Sequence, residues 1–243
     1  MARRSPETPR RRSPAKPEPT ELVRHAWAQR IEVEYRSAAV TQATVLWLLQ
    51  IGASSDVVRA GNRIVLDELK HAEMSQAVWL AAGGTQPPVL DRATLALTRQ
   101  HDVLEHDVVE AIVGIFCFGE TVAVRLFSHL RSGTTVPVAR RAFDRILRDE
   151  VRHRDFGWLC LEWMLARPDA GAIRSLIDRK MPGWVAGLEQ VYGTELSGGI
   201  KTVTPAERAW GVAPWTEYTA ILHKAYAQDY RRRFAKLGIQ FGV

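Results

Sequence analysis

Apolar residues recur at alternating intervals of three and four positions in four stretches of the chain, Trp27–Leu48, Val57–Ala82, Val109–Leu130 and Phe143–Met164. This spacing places the apolar side chains on one face of an α-helix. Each stretch with its flanks fits a helix of roughly 30 residues, or about 45 Å. Segments containing glycine or proline separate the stretches, and the longest connection follows the second. The pattern therefore predicts an all-α fold built on a four-helix bundle.

Six polar side chains lie on these apolar faces, where an unpaired charge is expensive. The first and third helices each supply one glutamate, and the second and fourth each supply a glutamate and a histidine: Glu34, Glu68, His71, Glu120, Glu150 and His153. The two pairs belong to two copies of the sequence D-E-x-x-H, in which glutamate and histidine share a helix face. The repeated order of glutamate followed by D-E-x-x-H is typical of an internal duplication.

Four carboxylates and two imidazoles that converge inside a bundle can bind two iron or manganese ions. Zinc would be expected with fewer ligands in a tetrahedral arrangement. We therefore predict that the six residues are the ligands of a di-metal centre. The aspartates of the two copies, Asp67 and Asp149, are predicted to accept hydrogen bonds from His153 and His71 respectively. The alternative is that both aspartates face solvent or balance neighbouring basic side chains.

The ordered ligand set resembles that of the ferritin-like di-iron carboxylate superfamily, and the resemblance covers about residues 21–167. The segment Arg148–Gly157 is similar to the last ligand helix of aldehyde-deformylating oxygenases and rubrerythrins. The resemblance implies a ferritin-like four-helix bundle. It also implies two bound iron ions, with a manganese–iron pair or two manganese ions as alternatives. By resemblance, the glutamates would bridge the metals and each histidine would bind one of them.

The remaining sequence narrows the expected activity within this superfamily. Rubrerythrins add a domain with CxxC pairs, which this chain lacks, so a rubrerythrin is not expected. A ribonucleotide reductase subunit would need a radical tyrosine near the ligands, but Tyr35 points away from its neighbour Glu34, so this class is not expected either. Residues 168–243 form an extension, with helices predicted at Ala170–Lys180, Trp184–Tyr192 and Trp215–Leu237, which is more typical of an enzyme that closes over a substrate. We expect an oxidase or oxygenase that activates O2 or peroxide for a small, largely apolar organic substrate. The alternatives are a ferroxidase, peroxide scavenger or iron-binding protein without an organic substrate, and a scaffold with a structural metal.

Side chains next to the ligands on the predicted faces would line the substrate pocket: Thr41, Phe116, Ala123, Val124 and Phe127. Small residues on the same faces, Gly61 and Gly157 among them, could leave room for an apolar molecule. The competing interpretation is that they allow ordinary close packing of helices.

The charge and composition of the chain indicate where the protein is expected to be located and what it is expected to bind. The chain is 46% hydrophobic with a net charge of +6, but six basic and two acidic residues give positions 1–20 a charge of +4, leaving +2 for the rest. We expect residues 1–20 to be a disordered basic tail, since they offer little apolar surface. No stretch is long and apolar enough for a membrane span, and the two cysteines form no CxxC pair. We expect a soluble cytoplasmic protein that uses an external electron donor, binds neither membrane nor nucleic acid, and could form a homodimer.

Overall fold

A computed structural model of the chain describes residues 17–192 and 200–242. All regular secondary structure in these residues is helical, which confirms the predicted all-α fold. None of these helices has both the length and the apolar character needed to cross a membrane. The α-helices are α1 Glu21–Gln50, α2 Ser55–Ala81, α3 Leu104–Ala111, α4 Thr121–Gly133, α5 Pro137–Leu165, α6 Ala170–Tyr192, α7 Pro205–Ala209, α8 Trp215–Ala225 and α9 Arg231–Lys236. A 3-10 turn covers Arg92–Leu95, and π-helical segments cover Ile112–Glu120 and Tyr226–Tyr230.

Four long helices enclose the main core, and their buried faces are those that the apolar periodicity predicted. Helix α1 packs along α2, α2 packs against α5, and α5 packs against the first π segment and α4. Residues of the predicted apolar faces are buried, among them Trp27, Leu48, Val109 and Met164. The short turns after α1 and α4 reverse the chain, whereas a long connection follows α2. This arrangement brings the middle of each helix to a shared interior.

The periodicity predicted one continuous α-helix for the third stretch, but the structure differs. It consists of α3, the π segment Ile112–Glu120 and α4 in succession. A π segment has wider turns than an α-helix and leaves the backbone hydrogen bonds less regular, and such segments often occur at functional sites. The hydroxyl of Tyr230, in the extension, donates a hydrogen bond of 2.7 Å to the carbonyl of Phe118 inside this segment. The extension therefore braces the segment that ends at Glu120.

The extension covers one side of the four long helices. Helix α6 packs against α3, the first π segment and α5, while α8 packs against α4 and α6. The two separate helices predicted within Ala170–Tyr192 are in fact one helix with Pro182 inside it. Proline usually interrupts a helix, but Met181, Val185 and Leu188 are buried on either side of it, and this packing favours the continuous helix.

The chain segment before α1 is attached to the extension. Residues 1–16 of the predicted tail lie outside the described residues, but Pro17–Thr20 are extended and partly buried. The indole of Trp210 donates to the carbonyl of Pro17 at 2.9 Å, and Thr20 donates to Glu207 at 2.7 Å. Thr20 also caps α1 by accepting from the amide of Val23. The last four residues of the predicted tail therefore belong to the folded structure.

Candidate metal centre

All six predicted ligands meet inside the four long helices, and each is at most 8% exposed. Ligand atoms of Glu34, Glu68, His71 and Glu150 lie within 4.8 Å of one another, and so do those of Glu68, Glu120 and His153. Glu68 belongs to both groups. The geometry therefore provides two adjacent positions for a metal ion, with a carboxylate available between them.

The two histidines direct the same ring nitrogen toward the carboxylates. His71 Nδ1 lies 3.3 Å from Glu68 Oε2 and 3.6 Å from Glu34 Oε2. His153 Nδ1 lies 3.4 Å from Glu68 Oε1 and 3.5 Å from Glu150 Oε2. The ring centroids are 5.7 Å apart. Each imidazole can therefore offer Nδ1 to a different metal position.

Buried polar atoms without hydrogen-bond partners show that these residues fit a metal pair. They include Glu34 Oε1, Glu68 Oε2, His71 Nδ1, Glu150 Oε2 and His153 Nδ1. A buried polar group without a partner costs about 1–3 kcal/mol, and more if it is charged. Because these atoms all border one small volume, metal ions bound there would satisfy them together.

The outer nitrogen of each histidine faces the aspartate of the other D-E-x-x-H copy. His71 Nε2 lies 3.3 Å from Asp149 Oδ2, and His153 Nε2 lies 3.5 Å from Asp67 Oδ2. The first contact is a hydrogen bond, whereas His153 Nε2 has no partner in hydrogen-bonding geometry. An acceptor at Nε2 keeps the proton there and leaves Nδ1 free to bind a metal.

Two arginines on α5 connect the aspartates to each other. Arg152 donates to Asp67 at 2.8 Å and to Asp149 at 2.7 Å. Arg145 donates to Asp67 at 3.0 Å and also bonds Asp149. Burial alone would raise the pKa of Asp67, but the nearby His153 and the hydrogen bond from Arg152 outweigh it and lower that pKa to about 2. The aspartates are therefore held as anions that can accept from the histidines.

The pKa values of the clustered carboxylates diverge because they repel one another and are shielded from water. Burial raises the pKa of Glu34 to about 7 against the opposing effect of the nearby His71. Burial and the charge of Glu150 raise the pKa of Glu120 well above its usual range. The pKa of Glu68 falls below its usual range because the two nearby histidines outweigh its burial. Without metal, protons must therefore offset part of the negative charge.

The neighbouring carboxylates raise the pKa values of both histidines, which therefore hold their protons more tightly. Burial would lower the pKa of His71, but its hydrogen bond to Asp149 and its close contacts with Glu34 and Glu68 raise it to about 12. A metal that binds Nδ1 would displace one of these protons, since only the unprotonated nitrogen is a ligand.

Three residues near the centre were missed in the sequence analysis, and a fourth, Arg152, entered it only among the basic side chains that the aspartates could balance. Ser37 donates to Glu68 Oε1 at 2.8 Å, and Arg145 and Arg152 hold the two aspartates. Tyr192, at the end of α6, lies close enough to Glu120 and Glu150 for their charges to raise its pKa, although burial is the largest cause. The only sequence signal for Ser37 was its position one helical turn after Glu34. Nothing in the sequence indicated that the extension would bring Tyr192 to the centre.

The predicted pocket residues lie in different surroundings. Thr41 and Phe116 are fully buried at one end of the centre, where a Cβ on Gly61 would lie 2.5 Å from Val45. A Cβ on Gly157 would lie 2.9 Å from the carbonyl carbon of Phe116. The two glycines thus permit close helix packing, which was the competing interpretation of these small residues. The Thr41 hydroxyl is buried there without a hydrogen-bond partner.

The other three predicted pocket residues lie elsewhere. Ala123 and Phe127 follow Glu120 on the same face of α4, toward the opposite end of the centre from Phe116. Val124 instead faces an outer cleft of about 490 Å³ between α4 and α8. Thr121 also borders this cleft, but none of the six predicted ligands does.

Comparison of the chain with family models, with curated proteins and with solved structures finds no match.

Proposed function

We propose that this protein is an oxidase or oxygenase of the ferritin-like di-iron type, which activates O2 or peroxide for a small, largely apolar organic substrate. The observation that supports the proposal most is the overlap of two ligand groups in Glu68, each group with its own histidine nitrogen. Carboxylate oxygens and imidazole nitrogens are donors that suit iron and manganese. The proposed cofactor is two iron ions, with manganese–iron and two manganese ions as alternatives.

Each side chain has a distinct task in this proposal. Glu68 and Glu150, which approach both histidines, would bridge the metals, while Glu34 with His71 and Glu120 with His153 would complete the two positions. When bound, the iron pair would supply the electrons that reduce O2 or peroxide. Ser37 restricts Glu68 by donating to one of its oxygens, and Asp149 holds the His71 ring in one orientation. The surrounding helices exclude water, which protects a strong oxidant from side reactions.

The extension favours substrate oxidation over iron storage. Helix α6 packs over the third long helix and brings Tyr192 near Glu120 and Glu150. A covering segment that reaches the centre is suited to holding an organic molecule beside it.

The reaction of the iron-loaded, reduced protein with O2 tests this proposal. We expect O2 to be consumed rapidly by the wild-type protein and by the matched variant Glu73→Gln, which alters an exposed glutamate of α2. Glu120→Gln should consume O2 much more slowly. Accumulation of a ferric mineral with many irons per chain would instead support the storage alternative. Equal O2 consumption by wild type and Glu120→Gln would contradict both the oxygenase proposal and the storage alternative.

A further inference from the structure

A cation lies on the same face of α1 as the ligand Glu34, one helical turn before it. This residue, Arg30, is half-buried, and the carbon of its guanidinium lies 5.1 Å from the ring centroids of Trp27, Phe127 and Phe143. Cations bind to aromatic ring faces at such distances. The aromatic rings therefore hold the guanidinium in place at the end of the centre where Phe127 lies.

Arg30 has no anionic partner of its own within the described parts of the chain. Its Nε is buried without a hydrogen-bond partner, and no carboxylate pairs with its guanidinium. Most other buried or half-buried arginines near the centre are paired, as Arg145 and Arg152 are with the aspartates. Guanidinium groups favour planar, two-oxygen partners such as carboxylates. A half-buried arginine without such a partner is therefore suited to bind an external anion.

A second polar group without a partner lies at the same end of the centre. Gly61 packs on Val45 near the end of α1, and Arg24 near its start donates to the carbonyl of Ala82 at 3.4 Å, so α2 runs opposite to α1. Ser75, seven positions after Glu68, therefore lies toward the Arg30 end. Its hydroxyl is buried and has no hydrogen-bond partner.

The extension contributes two phenols beside Arg30. Tyr192 and Tyr218 stack with ring centroids 6.5 Å apart, and the charge of Arg30 acts on both. The Thr219 hydroxyl donates to the carbonyl of Tyr192 at 3.1 Å, which ties α8 to the end of α6. Phe127, which contacts Arg30, and the stacked rings of Tyr192 and Tyr218 thus offer flat apolar surfaces near the cation.

The metal-loaded centre would leave the charge of Arg30 unopposed. Two divalent ions would offset the four negative charges of the glutamates. Arg30 would then provide the uncompensated positive charge at that end.

We infer that the substrate is a small aromatic or aliphatic carboxylate, which Arg30 binds through its carboxylate group while the apolar part lies against Phe127, Tyr192 and Tyr218. This inference rests on the proposed di-metal function and names the substrate class for it. The carboxylate would anchor one end of the molecule and direct its apolar end toward Glu120. Ser75 is placed to donate a further hydrogen bond from α2.

Binding measurements with simple carboxylates test the inference without any turnover. The iron content of the purified wild-type protein is determined first, and the protein is then titrated by calorimetry with benzoate, octanoate and the neutral analogue benzamide. We expect at least one carboxylate to bind, and benzamide to bind at least ten-fold more weakly than benzoate if benzoate is that ligand.

Two substitutions of Arg30 and one matched control assign the binding to this residue. Arg30→Met should weaken carboxylate binding ten-fold or more, and Arg30→Lys should weaken it less because it keeps the charge. Arg36→Met, an exposed arginine of the same helix, should bind like wild type. If Arg30→Met does not fold, the lysine variant and the benzoate–benzamide comparison decide.

The results separate failure of this inference from failure of the proposed function. A protein that holds two irons and consumes O2, but binds neither carboxylate, overturns only the inference. Equal binding by wild type and Arg30→Met also overturns it and assigns Arg30 to packing on its aromatic neighbours. A protein without metal at these ligands overturns both.

Discussion

His71 on α2 and Asp149 on α5 are joined by a hydrogen bond of 3.3 Å between Nε2 and Oδ2. The same histidine directs Nδ1 at Glu68, 3.3 Å away. The aspartate of one D-E-x-x-H copy therefore orients the histidine of the other, and the two halves of the centre depend on each other.

Asp149→Asn should weaken metal binding without unfolding the protein. An amide is a poorer acceptor than a carboxylate, so the His71 ring loses its fixed orientation and tautomer. We expect metal affinity to fall about 10–100-fold, the range found when such supporting groups are replaced. Competition with a chromophoric chelator measures this. Asp144→Asn, on the exposed side of the same helix, should bind metal like wild type, and an equal loss in both variants would refute the orienting role.

Glu120→Gln should lose metal and yet make the metal-free protein more stable. The pKa of Glu120 is raised well above its usual range, mainly by burial and next by the charge of Glu150. Removing this ionisable group relieves repulsion that the metal would otherwise offset. Chemical unfolding of the metal-free variant and elemental analysis of the loaded one provide the two measurements. A strongly destabilised metal-free variant would show that Glu120 is instead a structural pairing partner.

The metal-free protein should become less stable as the pH rises from about 5 to 7.5. The pKa of Glu34 is raised from 4.5 to about 7, chiefly by burial. The folded form therefore binds a proton that the unfolded form has already lost, and this contribution disappears as the pH rises through 7. The free energy of unfolding should fall by at most on the order of 3 kcal/mol. His71, whose pKa is also raised, adds to the same trend above pH 6.5.

Melting curves at several pH values, with and without metal, check this dependence. Bound metal replaces the protons, so the loaded protein should show a much flatter profile, and its added stability should grow with pH. Glu34→Gln should flatten the profile of the metal-free protein. A metal-free protein that becomes more stable between pH 5 and 7.5 would contradict the assignment.

Gly157→Ala should destabilise the protein by about 1–3 kcal/mol, the usual cost of adding atoms to a packed core. The new Cβ would approach rigid backbone atoms of Phe116 and Cys117 at 2.9 and 3.0 Å. Gly187→Ala, in helix α6 with no atom within 4 Å of the added carbon, is the matched control. It should be neutral or stabilising by up to about 1 kcal/mol, because alanine favours helix. A harmless Gly157→Ala would mean that room exists beside Phe116 after all.

Deletion of residues 1–16 and of residues 1–20 should have different effects. The longer deletion removes the Thr20 cap of α1 and the bonds that join Pro17 to Trp210 and Thr20 to Glu207. Loss of a cap and of partly buried hydrogen bonds each costs about 1 kcal/mol. We expect the melting temperature to fall only for the longer deletion. An equal fall for both would assign the stabilisation to residues before Pro17.

Periodicity predicted the long helices and the clustered ligands because both depend on which face of a helix is buried. A glutamate such as Glu34 within an apolar stripe already indicates a partner inside the core. The π segment before Glu120 escaped prediction, since a change of helix type alters the register without changing the apolar character of the residues. Periodicity could not decide between a cavity and close packing at Gly157, because a small residue fits both. Tyr192 depends on long-range docking, which local spacing does not encode.

Iron content per chain, measured by elemental analysis after anaerobic loading with ferrous iron and removal of free metal, tests the central claim most directly. The clustered ligands Glu34, Glu68, His71, Glu120, Glu150 and His153 predict two irons per chain. Glu68→Gln should hold at most one, because Glu68 belongs to both metal positions. A wild-type value of zero or one, or a value of two that persists in Glu68→Gln, would contradict a di-metal centre at these residues.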